Sequence, residues 1–426
     1  MDFNMVLRLG AAAAAIASAT TAAAAPDVSL LCASPGEDSS RSMRVSWHST
    51  SPSCKLVYDI DGEAIVNTAA CEKAESPVEY TGMSGYYLYR AELAGLRPGT
   101  RYRYRVVCGE ESTPSRSFMT APSDGAFCFL WMGDVHTTPN SPGKVASVDR
   151  LASFAEEAAC GLGGISFVLF SGDAVKHGQT YSCWKEWDRC HTAAEYMFAA
   201  VPGNKEYYRD EGKRRWHDRW FACARNNPPN GAPGIGGSFW FLYGGVLFVG
   251  VDTLVEEAEE MSDEVRRTAA ARQLTWFEDV AKAQKGRYRY LVVFQHYPYF
   301  VKKGPCGYGR YYFWRDAFDR HGVDFALSGD SHSYVRSRRL RGGTECADGT
   351  VYVVCPSIDA NMAEPSLEVG CGEVAMYDSR SCSYGACWFS VNNDEMTMRY
   401  ISPDGKVCDS VTAKARPNRA NRAIAK

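Results

Sequence analysis

The sequence predicts a multidomain α/β (α+β) fold: an N-terminal β-sandwich followed by a larger α/β domain. Three observations predict it. The chain has 426 residues, too many for one ordinary core. Residues 26–122 read as short alternating strands separated by turns. After Ser123, apolar strand runs alternate with helical stretches, the pattern of an α/β sheet.

The elements follow in chain order. Arg8 precedes an Ala-rich apolar run, and small residues fill 22–25 before Pro26. This reads as a signal peptide over residues 1–25, because the run is too short to span a bilayer. Residues 43–48 (MRVSWH), 55–59, 86–93 and 102–107 read as strands, with turns at Asp61-Gly62 and Pro98-Gly99. Further strands are expected at 127–132, 165–170, 196–201, 246–251, 290–294 and 324–327. Helices are expected at 147–160, at 264–285 stopped by Gly286, and at 312–321 stopped by Gly322. Residues 223–237 form a Pro/Gly/Asn loop of lid-like length. Its glycines lack the Lys-Ser/Thr of a nucleotide phosphate loop. Residues 413–426 read as a basic flexible tail.

Composition narrows the classes. Hydrophobic content of 45% and charged content of 23% are globular values. A net charge of −3 gives no electrostatic footprint for nucleic acid. No later stretch is long and apolar enough for a transmembrane helix. All 16 cysteines follow the leader, and an even count in an exported chain favours disulfides. Most are expected to pair, some within the set Cys32, Cys54, Cys71 and Cys108. Cys128, inside an apolar run, reads as a buried thiol. A secreted or periplasmic location is the expectation.

Metal-capable side chains stand directly after five of the predicted strands. They are Asp134 and His136 in GDVH, Asp173 in SGDAV, Asn204 in VPGNKEYY, His296 in FQHYPYF, and Asp330 and His332 in LSGDSHSYVRS. In an α/β sheet the loops at strand carboxyl ends converge on one crevice. The neighbouring glycines are expected to take the sharp turn that aims each side chain inward. Imidazole, carboxylate and amide together suit Zn, Fe or Mn. Two ions about 3.5–4 Å apart can clamp a phosphoryl group and generate a bridging hydroxide. Each motif alone has a plain structural alternative, a turn aspartate or a core histidine. The ordered series of five outweighs these.

This series resembles the calcineurin-like metallophosphoesterase superfamily, with its GDxH, GD, GNH[DE], H and GHxH motifs. It is most similar to purple acid phosphatases, in which a fibronectin type III-like module precedes the catalytic domain. The segment at 89–106 (YRAELAGLRPGTRYRYRV) looks like a strand–turn–strand unit of such a module. The resemblance implies a four-layer α/β catalytic domain over 123–412, after a module over 26–122. It assigns one metal to Asp134, His136, Asp173 and His332. The second would take Asp173, Asn204, His296 and Asp330, with Asp173 bridging. Three positions depart from the pattern. Lys176 replaces the Tyr that gives the purple enzymes their colour, Lys205 replaces the GNH histidine, and Asp330 replaces the first His of GHxH.

The expected activity is metal-dependent hydrolysis of small phosphate esters, chiefly monoesters. The expected cofactors are two metal ions drawn from Fe, Zn or Mn. Lys205 would be the catalytic cation that anchors phosphate; its alternatives are a solvated lysine or an ion-paired one. A phosphodiesterase or nucleotidase is a nearby enzymatic alternative. A different class is a non-catalytic or single-metal binding module of the cell envelope, in which Lys205 and Asp330 pair and exclude the second metal.

Overall fold

The structure, a computed structural model, describes residues 27–63, 66–73, 78–80, 83–123, 125–207, 221, 223, 226–227, 237–253, 262–300, 307–358, 374–378 and 384–416. The leader reading, most of the 223–237 loop and residues 417–426 lie outside the described residues.

The first part is two facing five-stranded sheets. One holds β1 (Val28–Pro35), β2 (Ser42–Ser49), β5 (Cys71–Lys73), β6 (Val78–Tyr80) and β7 (Met83–Ala94). The other holds β3 (Lys55–Ile60), β4 (Val66–Ala69), β8 (Arg101–Cys108), β9 (Glu111–Ser112) and β10 (Arg116–Met119). Alternation makes the sandwich: in β8, Tyr102, Tyr104, Val106 and Cys108 are buried while the residues between them are more exposed. Trp47 and Tyr89 stack in its core with ring centroids 5.2 Å apart. Cys54 and Cys108 form a disulfide.

The second part has two larger sheets. A six-stranded sheet runs in the order β13 (Met197–Ala200), β12 (Ile165–Phe170), β11 (Phe127–Met132), β22 (Ala386–Val391), β23 (Glu395–Ile401) and β24 (Val407–Lys414). An eight-stranded sheet runs β14 (Phe239–Tyr243), β15 (Val246–Val251), β16 (Tyr290–Gln295), β17 (Phe325–Ser328), β20 (Thr350–Val354), β18 (Tyr334–Arg341) and β19 (Thr344–Glu345), with β21 (Val374–Asp378) paired to β18. Strands β11, β12 and β13 are parallel, as are β15, β16, β17 and β20. Their residues are mostly apolar because both faces are covered.

The sheets pack face to face through aromatic rings. Phe129 stacks on Phe389 at 4.4 Å and meets Phe248 edge-on at 5.2 Å. Cutting such a ring to alanine costs about 3–5 kcal/mol. Helices cover the outer faces. On the six-stranded sheet lie α1 (Pro142–Ala159), α2 (Tyr181–Trp187) and α3 (His191–Glu195). On the eight-stranded sheet lie α4 (Asp263–Ala283) and α5 (Gly307–His321). The result is helix, sheet, sheet, helix: four layers. Helix α1 buries Val145, Val148, Leu151, Ala152, Ala155 and Ala159, the spacing of one helical face. It begins five residues before the expected start because Pro142 suits the first turn. Helix α4 is capped by Ser262, whose Oγ accepts from Val265 N at 3.3 Å.

The sandwich docks on the edge of the eight-stranded sheet. Leu242 N donates to Glu37 O at 2.9 Å, and Ser39 N donates to Leu242 O at 3.0 Å. Two expectations are corrected. The chain does not become a tail at 413, since β24 continues through Lys414, Ala413 is buried, and Arg416 Nε lies 3.2 Å from Asp324. Wide cysteine pairing is not met among the described residues. Cys128, Cys183, Cys190, Cys355 and Cys387 are buried thiols, and even Cys355 and Cys387, which lie beside each other, are not disulfide-bonded.

Candidate metal centre

Five strand ends deliver the candidate ligands to one crevice. Asp134 and His136 follow β11, Asp173 follows β12, Asn204 follows β13, His296 follows β16, and Asp330 and His332 follow β17. The loops are laced together by backbone bonds. Asp134 N donates to Gly172 O at 3.0 Å, and His136 N donates to Asp173 O at 3.0 Å.

Gly172 takes the sharp turn expected of it, with φ of 92°, but the other turns are made differently from the sequence expectation. Asp134, His136, Asp173, Asp330 and His332 themselves adopt positive φ, from 54° to 66°. Only Leu30 and Asn140 share this among the other described non-glycine residues. Such conformations cost about 1–3 kcal/mol each, less for Asp and His than for branched residues. Their concentration at one crevice marks it as the place where the fold holds strain. In the GDVH segment, two left-handed residues turn Asp134 and His136 to the crevice while Val135 between them packs into the core. Gly203 is needed for space instead: a Cβ there would collide with the Asp173 carboxylate.

The side chains converge closely. His136 Nε2 lies 2.9 Å from Asp173 Oδ2, and His332 Nε2 lies 3.5 Å from Asp134 Oδ1. His296 Nε2 lies 3.5 Å from Asp173 Oδ1 and 3.6 Å from Asp330 Oδ1. Donor atoms of Asp134, His136 and His332 all fall within 4.8 Å of one another, as do those of Asp134, Asp173 and His296. Asp134 thus belongs to both groups, while Asp173 touches a histidine of each. Asn204 stands at the rim, its Oδ1 accepting from Lys205 Nζ at 3.0 Å.

Asp134, Asp173 and Asp330 are each at most 1% exposed. Three carboxylates removed from water demand positive charge. Burial opposes the charge on Asp173, yet His296, His136 and Lys205 outweigh it and hold the carboxyl well below the usual range. Burial equally disfavours a charged His296, but Asp173, Asp330 and Asp134 around it hold its pKa up at about 10. His296 Nδ1 meets Ser171 O at 2.6 Å, and its buried Nε2 makes no hydrogen bond. A ring anchored through one nitrogen that presents the other to carboxylates is the arrangement of a metal ligand. Oxygen and imidazole donors without thiolate fit Fe, Zn or Mn.

Lys205 is not a solvated lysine. Its side chain is 15% exposed, and Nζ lies 3.9 Å from Asp173 Oδ2. Its observed partners are Asn204 and Asp173, while Asp330 faces His296 and takes its own amide to the Asp134 carboxylate at 3.0 Å. Lys176 is exposed, with its amide bound to Thr137 O at 2.9 Å. Sequence reasoning missed the supports. Ser357 Oγ donates to Asp134 O at 2.8 Å, and Lys144 Nζ donates to His136 O at 2.9 Å. Neither has a sequence signal, since both act from segments outside the five motifs. Glu206 had one, as the last residue of the GNKE motif.

Comparison with known proteins agrees with this geometry. The family described as purple acid phosphatase, N-terminal domain, matches residues 31–120. The calcineurin-like phosphoesterase family matches residues 128–334. No curated protein matches the sequence. Among solved structures, a purple acid phosphatase from yellow lupin (Lupinus luteus) seeds superposes with a TM-score of 0.73 at 14% identity, over 93% of this chain and 76% of that one. A PhoD structure superposes with a TM-score of 0.57 at 13% identity, over 91% and 89%. Taken with the five-motif crevice, these matches place the chain in the calcineurin-like phosphoesterase superfamily, with the N-terminal domain of the purple acid phosphatases.

Proposed function

We propose that the chain is an exported phosphomonoesterase that works with two metal ions. One metal would be held by Asp134, His136, Asp173 and His332, and the other by Asp173, Asn204, His296 and Asp330. When bound, such metals supply Lewis acidity and activate water for in-line attack on phosphorus. The protein's own part is electrostatic. Asp134, Asp173 and Asp330 fix the cations in a buried pocket. His332, the candidate ligand with the greatest exposure among the three histidines, opens the pocket to solvent on its side. The Lys205 ammonium at the rim is placed to neutralise the second negative charge that a monoester carries and a diester lacks. That position of Lys205 is the observation that carries the monoester reading. Export rests on the Ala-rich leader, with the Cys54–Cys108 disulfide in support.

One observation favours the single-metal alternative. Lys205 Nζ lies 3.0 Å from Asn204 Oδ1, an atom the second metal would use. The test is hydrolysis of an aryl phosphate monoester against a bis-aryl diester, after loading with Mn, Fe or Zn and after chelation. The expected result is metal-dependent turnover that favours the monoester. Absence of turnover with every metal, or a preference for the diester, overturns the proposal.

A further inference from the structure

Glu206 lies two residues after Asn204, in the same short helical turn, and is 1% exposed. Its side chain turns away from the crevice and under the loop that carries Asp173. Oε2 accepts from Gly203 N at 2.7 Å and Asp173 N at 2.9 Å. Oε1 accepts from Ala174 N at 2.8 Å, with Val175 N more distant at 3.5 Å. One carboxylate therefore gathers the amides that follow β12 together with the amide that opens the turn after β13. The same two segments are joined in the opposite sense: Lys205 N donates to Asp173 Oδ1 at 2.8 Å. The exchange is reciprocal, backbone of 173 to side chain of 206 and backbone of 205 to side chain of 173.

We infer that Glu206 is a positioning residue for the metal centre, holding Asp173 in its left-handed conformation and fixing the distance between Asp173 and Asn204. The inference rests on the metal-site reading above. Asp173 has φ of 58°, a conformation its own loop would not hold cheaply. Orienting groups of this kind hold ligands in place before the metal arrives. The bonds require a carboxylate. In glutamine, an NH2 group would replace one oxygen and face backbone N–H donors, leaving amides without acceptors in a buried place. A glutamate here consequently differs from one that merely fills space.

The test compares wild type with Glu206→Gln. Metal affinity is read by competition with a fluorescent chelator for Mn or Zn, and turnover is read across a metal titration. The variant should bind metal about 10–100-fold more weakly. Its turnover should recover when metal is raised to saturation. A purely structural role would lower the melting temperature and the folded fraction without shifting the titration of what remains folded. Unchanged metal affinity in a folded variant overturns the inference. Amide hydrogen exchange on the metal-free wild type supplies a second arm that needs no variant. The amides of Gly203, Asp173 and Ala174 should be strongly protected, and rapid exchange there overturns the inference even if Glu206→Gln fails to fold. Wild-type protein that takes up no metal would sink the proposed function, while the exchange arm still judges Glu206.

Discussion

His296 and Ser171 meet through a single bond that sets the second half of the site. Nδ1 of the imidazole lies 2.6 Å from the Ser171 carbonyl oxygen, which turns Nε2 toward Asp173 and Asp330. A carbonyl can only accept, so Nδ1 keeps its proton, and Nε2 is the nitrogen that would give up its proton to a cation. His296→Ala should therefore lose one metal equivalent while the other metal stays with Asp134, His136 and His332. Elemental analysis of the folded variant beside wild type checks this. Two metals retained at wild-type affinity would remove His296 from the ligand set.

A second prediction concerns Asp188, between the sandwich and the α/β domain. Its Oδ1 accepts from Leu30 N at 3.1 Å. Burial pushes its carboxyl above the ordinary aspartate value of 3.8, although the Leu30 amide, Arg116 and Lys185 pull the other way. The sign follows from linkage. A folded pKa raised above the unfolded one gives stability that is present below 3.8 and lost as the pH rises through the folded value. Asp188→Asn keeps an oxygen for Leu30 N and removes the charge. It should melt higher than wild type at pH 7, with the gap narrowing as the pH falls toward 4. A variant that melts lower at pH 7 would show that the charge itself is needed there.

Much of the scaffold was legible in the sequence, for one physical reason. Strands β11, β12 and β15 lie between covered faces, so their apolar runs at 127–132, 165–170 and 246–251 match the strand bounds. Strand β18, with sequence YVRSRRLR, was missed because its arginines look solvated. Arg336 in fact makes a two-pronged pair with Asp409 on β24, at 2.6 and 3.0 Å, and Tyr334 OH joins the same carboxylate at 2.7 Å. Pairing across 73 residues leaves no local pattern. The crevice was legible as a set of strand-end motifs. Its backbone was not, because the glycines beside Asp134 and Asp330 drew attention from the aspartates that take the left-handed turn. Glu206 was visible as a motif letter, but its role depends on where β12 ends in space.

The last prediction concerns Lys205 and Asp330 together. Asp330 is buried and faces His296 at 3.6 Å, so it adds a third carboxylate to Asp134 and Asp173. That charge alone would repel a phosphate dianion. Lys205 offsets it from the rim, 3.9 Å from Asp173 Oδ2. A carboxylate is also a harder ligand than imidazole, which shifts the second position toward Mn, Mg or Fe over Zn. Two accounts then differ in stoichiometry. If Asp330 ligates, wild type holds two metals, Asp330→Ala loses one, and Lys205→Ala keeps both while binding inorganic phosphate more weakly. If the Lys205 ammonium stands in for the second cation, wild type holds one metal, and Lys205→Ala gains a second. Lys205 meets Asn204 and Asp173, and Asp330 meets His296. The Asp330 carboxylate turned to His296 is set to hold a cation beside it, so two metals in wild type is the expected outcome. Elemental analysis at saturating Mn, Fe and Zn decides it, and a single metal in wild type with a second gained in Lys205→Ala would establish the lysine as the substitute.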